Sequence, residues 1–162
     1  MGGAFQSFAE GLPGGASSLN ETHGNWRVSC ASGDDGVKCV ASQTQVQGEN
    51  RQRVLAIEFT SATGNKGAAG LVILPFGLKL DSGVVPTIDD DDPMPALRFS
   101  TCMPQGCLVP LNFDARTLAA LKQGNALALR ATANGSDRDV AFSIPLSGFA
   151  SAFERLRELN GG

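Results

Sequence analysis

Tyrosine is absent from the 162 residues, and histidine and tryptophan occur once each. A Ser-His-Asp triad needs a buried, oriented imidazole. The one available, His23, follows a stretch of Gly, Ser, Pro and Asn with scattered apolar residues, and reads as a solvated side chain. Gly-x-Ser-x-Gly and the phosphate-cradling Gly-x4-Gly-Lys-Ser/Thr are missing, as is the Cys-x-x-Cys of thiol exchange. No apolar run approaches the roughly 20 residues that a membrane-spanning helix needs. Cations are scarce: 13 Lys+Arg stand against 16 Asp+Glu, a formal charge of −3. That balance argues against a nucleic-acid partner held through phosphate contacts. What is present is 42% hydrophobic against 18% charged residues, enough for the core of one domain and too little charge for a disordered chain.

Four cysteines sit at 30, 39, 102 and 107. Two close pairs in a small acidic domain point to local disulfides, Cys30–Cys39 and Cys102–Cys107, formed in an oxidising compartment. The rival is a four-thiolate zinc site. Zinc knuckles use tighter, similar spacings, so the first pair is too wide for it. Met1-Gly2-Gly3 reads as an expression start, and residues 1–25 hold neither the cationic nor the apolar part of a signal peptide. An exported protein would therefore be seen here in mature form. Residues 1–24 read as a flexible leader, free of Lys and Arg, and residues 25–160 as a single β-sandwich domain.

The body of the chain is patterned as short strands. Trp26, Val28 and Cys30 alternate with Arg27 and Ser29, the period of a half-buried strand. A turn at Gly33-Asp34-Asp35-Gly36 leads into 37–46, and 53–60 alternates again. After a turn at 64–67, Leu71-Val72-Ile73-Leu74 is apolar on both faces and reads as central. Pro75-Phe76-Gly77 interrupts, and Leu78 and Leu80 resume the alternation. Further strand-like segments fall at 84–88, where Pro86 favours an edge, and at 97–101, 108–113, 126–132 and 140–144. Eight or nine such strands predict a mainly β fold, an antiparallel β-sandwich or jelly-roll-like body. One short helix follows an Asp114 N-cap and stops at Gly124. A C-terminal amphipathic helix at 148–159 carries Phe149, Ala152, Phe153, Leu156 and Leu159 on one face.

Chemistry is sparse in this pattern. The run Asp89, Asp90, Asp91, Asp92 is the largest local charge and the only calcium candidate, since that ion takes six to eight oxygens. Four successive acids before Pro93 fit a hydrated loop better. Glu58, among apolar neighbours, is the first carboxylate to inspect for a glycan-active or hydrolytic enzyme, which needs two carboxyls roughly 5–9 Å apart. The sequons Asn20-Glu21-Thr22 and Asn134-Gly135-Ser136 matter only in a eukaryotic secretory protein. No catalytic residue, cofactor site or resident metal is expected.

The motifs in order carry a likeness. Gly24, Trp26, Val28 and Cys30 are followed by Cys39 and by Leu74-Pro75-Phe76-Gly77-Leu78. Then come Phe99, Cys102, Pro104, Gly106 and Cys107, next Leu121-Lys122-Gln123-Gly124, and last Ile144-Pro145-Leu146-Ser147-Gly148-Phe149. This set, over residues 17–157, resembles the invasion-associated locus B family of exported proteins from Gram-negative bacteria. Leu12–Ser18 also looks like the family's mature N-terminus, whereas the four-Asp run lies outside its pattern. The resemblance implies a signal peptide in the precursor and a periplasmic or secreted, outer-membrane-associated location. It further implies a role in host-cell invasion, of erythrocytes in particular, or in general envelope physiology. A non-enzymatic protein that binds an envelope or host macromolecule follows, with the glycan-active or hydrolytic enzyme as the alternative. Within the motifs, Trp26 is expected to anchor the core, and Gly77 and Gly106 to form turns.

Overall fold

Alternation in the sequence becomes alternation in burial. In the computed structural model, which describes residues 12–50, 52–61 and 67–160, Trp26, Val28 and Cys30 of one strand are buried while Arg27 and Ala31 are exposed. Ten strands are formed among the described residues: β1 (Ser18–His23), β2 (Trp26–Gly33), β3 (Gly36–Gln47), β4 (Gln52–Ser61), β5 (Ala68–Leu74), β6 (Val85–Ile88), β7 (Thr101–Met103), β8 (Gly106–Phe113), β9 (Ala126–Thr132) and β10 (Asp139–Pro145). Helix α1 (Ala115–Gln123) lies between β8 and β9, and α2 (Phe149–Leu159) follows β10. All strand pairs are antiparallel. They make a seven-stranded sheet in the order β1-β2-β3-β4-β5-β8-β7 and a three-stranded sheet in the order β10-β9-β6. The fold is mainly β with two helices, and the large sheet runs as a meander through its first five strands. Strand β5 lies inside it, between β4 and β8, as its apolar run implies.

One hydrophobic cluster unites both sheets and both helices. Its centre is aromatic: Trp26 meets Phe149 edge-on with centroids 5.1 Å apart, and Phe59 meets Phe149 at 5.4 Å. Such pairs add about 0.5–1.5 kcal/mol beyond their area. Helix α2 supplies Phe149, Ala152, Phe153 and Leu156 and lies across β1 to β4. Asp114 caps α1, its carboxylate accepting from the Thr117 N–H at 2.8 Å. Gly24 (φ +57°) and Gly148 (φ +87°) lock together, since a β-carbon on Gly148 would lie 1.9 Å from the His23 carbonyl. The Asn25 N–H donates to the Ser147 carbonyl at 2.9 Å in the same crossing.

Three expectations are corrected. Residues 18–23 are not leader but strand β1, paired with β2 over its whole length. Backbone pairing makes this strand, since Leu19 is its only large apolar residue. A 3-10 turn at Pro13–Gly15 precedes it, and Leu12 is buried; residues 1–11 lie outside the described residues, as does most of the turn expected at 64–67. Leu78 and Leu80 continue no strand, because Leu78 makes one bridge to Ala133 and Leu80 opens a 3-10 turn closed by Gly83. The strand expected at 97–101 is instead a strap. Met94 and Leu97 bond to Pro86 and Val84 beside the small sheet, and Ser100 bonds to Leu108 of the large one. Strand β7 begins only at Thr101. Pro93 and Pro95 remove the donors that a longer ladder would use.

Candidate functional site

The sulfur pairs sit at opposite regions of the large sheet. Cys30 and Cys39 face each other across β2 and β3, with Cα atoms 4.0 Å apart, and Cys102 and Cys107 across β7 and β8 at 3.9 Å. Both positions are direct cross-strand neighbours, whose side chains share one face of the sheet. The first disulfide is buried on the core face, while Cys102 of the second is exposed. Gly106 lets the second hairpin lie tight against β5, since a β-carbon there would lie 2.5 Å from the Leu74 carbonyl. Two stretches far apart in sequence, 74–78 and 99–107, thus meet backbone to backbone.

Large apolar side chains stay in water around this hairpin. Phe76, two residues beyond the end of β5, is 60% exposed, Leu80 46% and Met103 44%; the remaining exposed large apolar residue among those described, Val46, lies apart on β3. Leu80 and Phe99 line a cleft of about 430 Å³ with Asp81, Arg98, Ser100 and Thr101. Exposed apolar side chains gathered in one region mark interaction surfaces more often than scattered ones do. Periodicity could not separate Phe76 and Leu80 from core, because an apolar letter in a turn carries no face.

His23 is not a solvated tail residue. It ends β1 half-buried, with Nδ1 hydrogen-bonded to the Ser151 hydroxyl of α2 and Nε2 3.2 Å from Glu21 Oε1. Serine, imidazole and carboxylate are therefore in contact. Glu21, however, is engaged by Arg155, whose Nε and Nη2 each donate to it at 3.0 Å. Those hydrogen bonds hold the Glu21 carboxyl below its ordinary value of 4.5 and raise the Arg155 guanidinium. Such a fixed, charge-paired carboxylate clasps α2 to β1. On the same helix Lys122 of α1 pairs with Glu154 and lies 5.5 Å from the Phe153 ring centroid.

The aspartate run is divided. Asp89, at φ +50°, accepts from the backbone N–H groups of Asn125 and Ala126, each at 3.0 Å, and so fixes the start of β9. Asp89, Asp90 and Asp91 also wall a cleft of about 500 Å³ on the small sheet, together with Arg130 and Asp139. Asp92 is exposed beside them. Among the described residues no group of three or more His, Cys, Asp or Glu is gathered as metal ligands. Glu58 is exposed on β4 between Ser42 and Leu71, so neither cross-strand neighbour is an acid. Sequence reasoning missed Arg130 and Asp139, which only the β6-β9-β10 register brings to the Asp loop.

The family model for the invasion associated locus B protein matches residues 26–157. The chain belongs to the invasion-associated locus B family. An invasion protein B homolog of Brucella abortus is 45% identical over 156 residues, covering 96% of this chain and 89% of its own. Invasion protein B of Bartonella bacilliformis is 33% identical over 150 residues, covering 91% and 80%. The crystal structure of invasion associated protein b from Bartonella henselae superposes with a TM-score of 0.80 at 27% identity, over 87% of this chain and 96% of that one. The family is named for invasion, not for an activity. Among the described residues no helix is long and apolar enough to cross a membrane.

Proposed function

We propose that this member of the invasion-associated locus B family is an exported, non-enzymatic binding protein that works outside the cytosol. Its partner is a macromolecule of the bacterial envelope or of a host-cell surface. The observation that carries this reading is the exposure of Phe76, Leu80 and Met103 beside the Cys102–Cys107 hairpin. Met103 stands on that disulfide-closed hairpin, and a rigid hairpin presents such a side chain at low entropic cost, which favours binding by a preformed surface. Two cystines support the compartment, because such bonds persist where thiols are oxidised. Asp89 and Glu21, the acids with the most contacts, are committed to backbone amides and to Arg155, which supports binding over catalysis.

The test is sedimentation of the purified protein with outer-membrane fragments and with host-cell membranes. The variant Phe76→Ser/Leu80→Ser/Met103→Ser is expected to lose most of its retention while melting as the parent does. Equal retention of parent and variant would refute the surface.

A further inference from the structure

Each sheet in this fold ends in two edges, and three of the four are blunted. Two outward carbonyls of β10, at its C-terminal end, are taken by side chains of the large sheet. Trp26 and Gln43 donate to the Pro145 carbonyl at 3.1 and 3.0 Å, and Gln45 to that of Ser143 at 2.8 Å. The outer edge of β6 is covered by the strap at Met94 and Leu97. Strand β7 is three residues long and tied to β8 by a disulfide. Such devices are how proteins keep edges from pairing with other chains.

Strand β1 carries none of them. It spans six residues without Pro, Lys or a bulge. Ser32 donates its N–H to the Ser17 carbonyl at 2.9 Å, so the odd residues of this strand bond to β2 and the even ones face away. Ser18, Asn20 and Thr22 therefore aim their N–H and C=O groups outward, and among the described residues none hydrogen-bonds to them. That row of alternating donors and acceptors is complementary to one thing, another extended strand.

We propose that β1 is the docking edge for a second copy of this chain, the two strands pairing antiparallel about Asn20. The strand is suited to its own copy. A two-fold axis at Asn20 sets Asn20 opposite Asn20 and Ser18 opposite Thr22, all uncharged. Leu19 then lies opposite Glu21, whose charge is already met by Arg155. Two molecules of net charge −3 thus meet where no like charges are opposed. The pairing forms about six backbone hydrogen bonds and joins two large sheets into one.

Light scattering of the full chain across concentration tests this. The parent is expected to move from 16.8 kDa toward about 34 kDa as concentration rises, as mass action requires. Asn20→Lys sets two ammonium groups against each other at the axis. Asn20→Pro deletes an outward N–H and spares the bonds to β2. Both variants are expected to remain monomeric with near-parental melting. Hydrogen exchange supplies a second readout: the Ser18, Asn20 and Thr22 amides should be protected in the parent and exchange freely in Asn20→Lys. A parent that stays monomeric, because residues 1–11 or nothing at all occupy the edge, overturns the proposal. So does a dimer that both variants retain, which would place the interface elsewhere.

Discussion

Gly24 and Gly148 show how single residues decide the fold. Each has a positive φ, and each sits where a β-carbon would collide with the other's backbone segment. Gly148→Ala combines αL strain with a steric clash that the crossing cannot relieve, because the Asn25–Ser147 hydrogen bond pins the same backbone. Its expected cost is about 2–4 kcal/mol, seen as a large fall in the urea midpoint, whereas Gly135→Ala, in open space at a similar φ of +94°, should cost less. Equal losses would mean that strain alone governs both sites. At this scale Trp26 was legible, since alternation with Arg27 states which face it takes. His23 was not: its partner Ser151 is 128 residues away, a distance over which periodicity carries no information.

Among the elements, the helices were the most readable. Asp114 and Gly124 bracket α1 as N-cap and stop, and the apolar stripe of α2 is the stripe it buries. Strand β1 was hidden because its polar row contains almost nothing to bury; pairing with β2 and the clasp from α2 define it. That clasp has a pH signature. Arg155 holds the Glu21 carboxyl below 4.5 in the folded protein, so the stability it contributes is present above that value and lost as pH falls through the folded one. Urea midpoints are expected to drop between pH 7 and about pH 3, and to drop less in Arg155→Met, where Glu21 loses the strongest of the contacts that lower it and keeps that with His23. Parallel pH profiles for the two proteins would show that the clasp is energetically silent. The Lys122–Glu154 pair, which lowers Glu154 in the same sense, is unchanged in that comparison.

The whole molecule is two antiparallel sheets of unequal size closed around one core, with a disulfide in each of two hairpins of the larger. The mainly β class and the two helices were legible, because strand-length alternation and helical spacing are local signals. Sheet order was not, because which strands neighbour one another is settled by long-range pairing: β8 inserts between β5 and β7, and β6 crosses to the other sheet. The exposed surface at Phe76, Leu80 and Met103 belongs to this scale too, since it exists only once β5 and the β7–β8 hairpin lie side by side. Each short cystine loop stabilises the fold by about 2–3 kcal/mol through the unfolded chain. Dithiothreitol should therefore lower the melting temperature substantially, and Cys30→Ala/Cys39→Ala should reproduce part of the fall. An unchanged melt would remove the bridges from the account of stability.

The most direct measurement is peptide mass mapping of the unreduced protein recovered from the envelope of its own cells. A disulfide-stapled protein working outside the cytosol gives one cross-linked peptide pair joining Cys30 to Cys39 and another joining Cys102 to Cys107, with no thiol open to alkylation. Recovery from the cytosol with four alkylated cysteines would contradict the compartment and, with it, the proposed function.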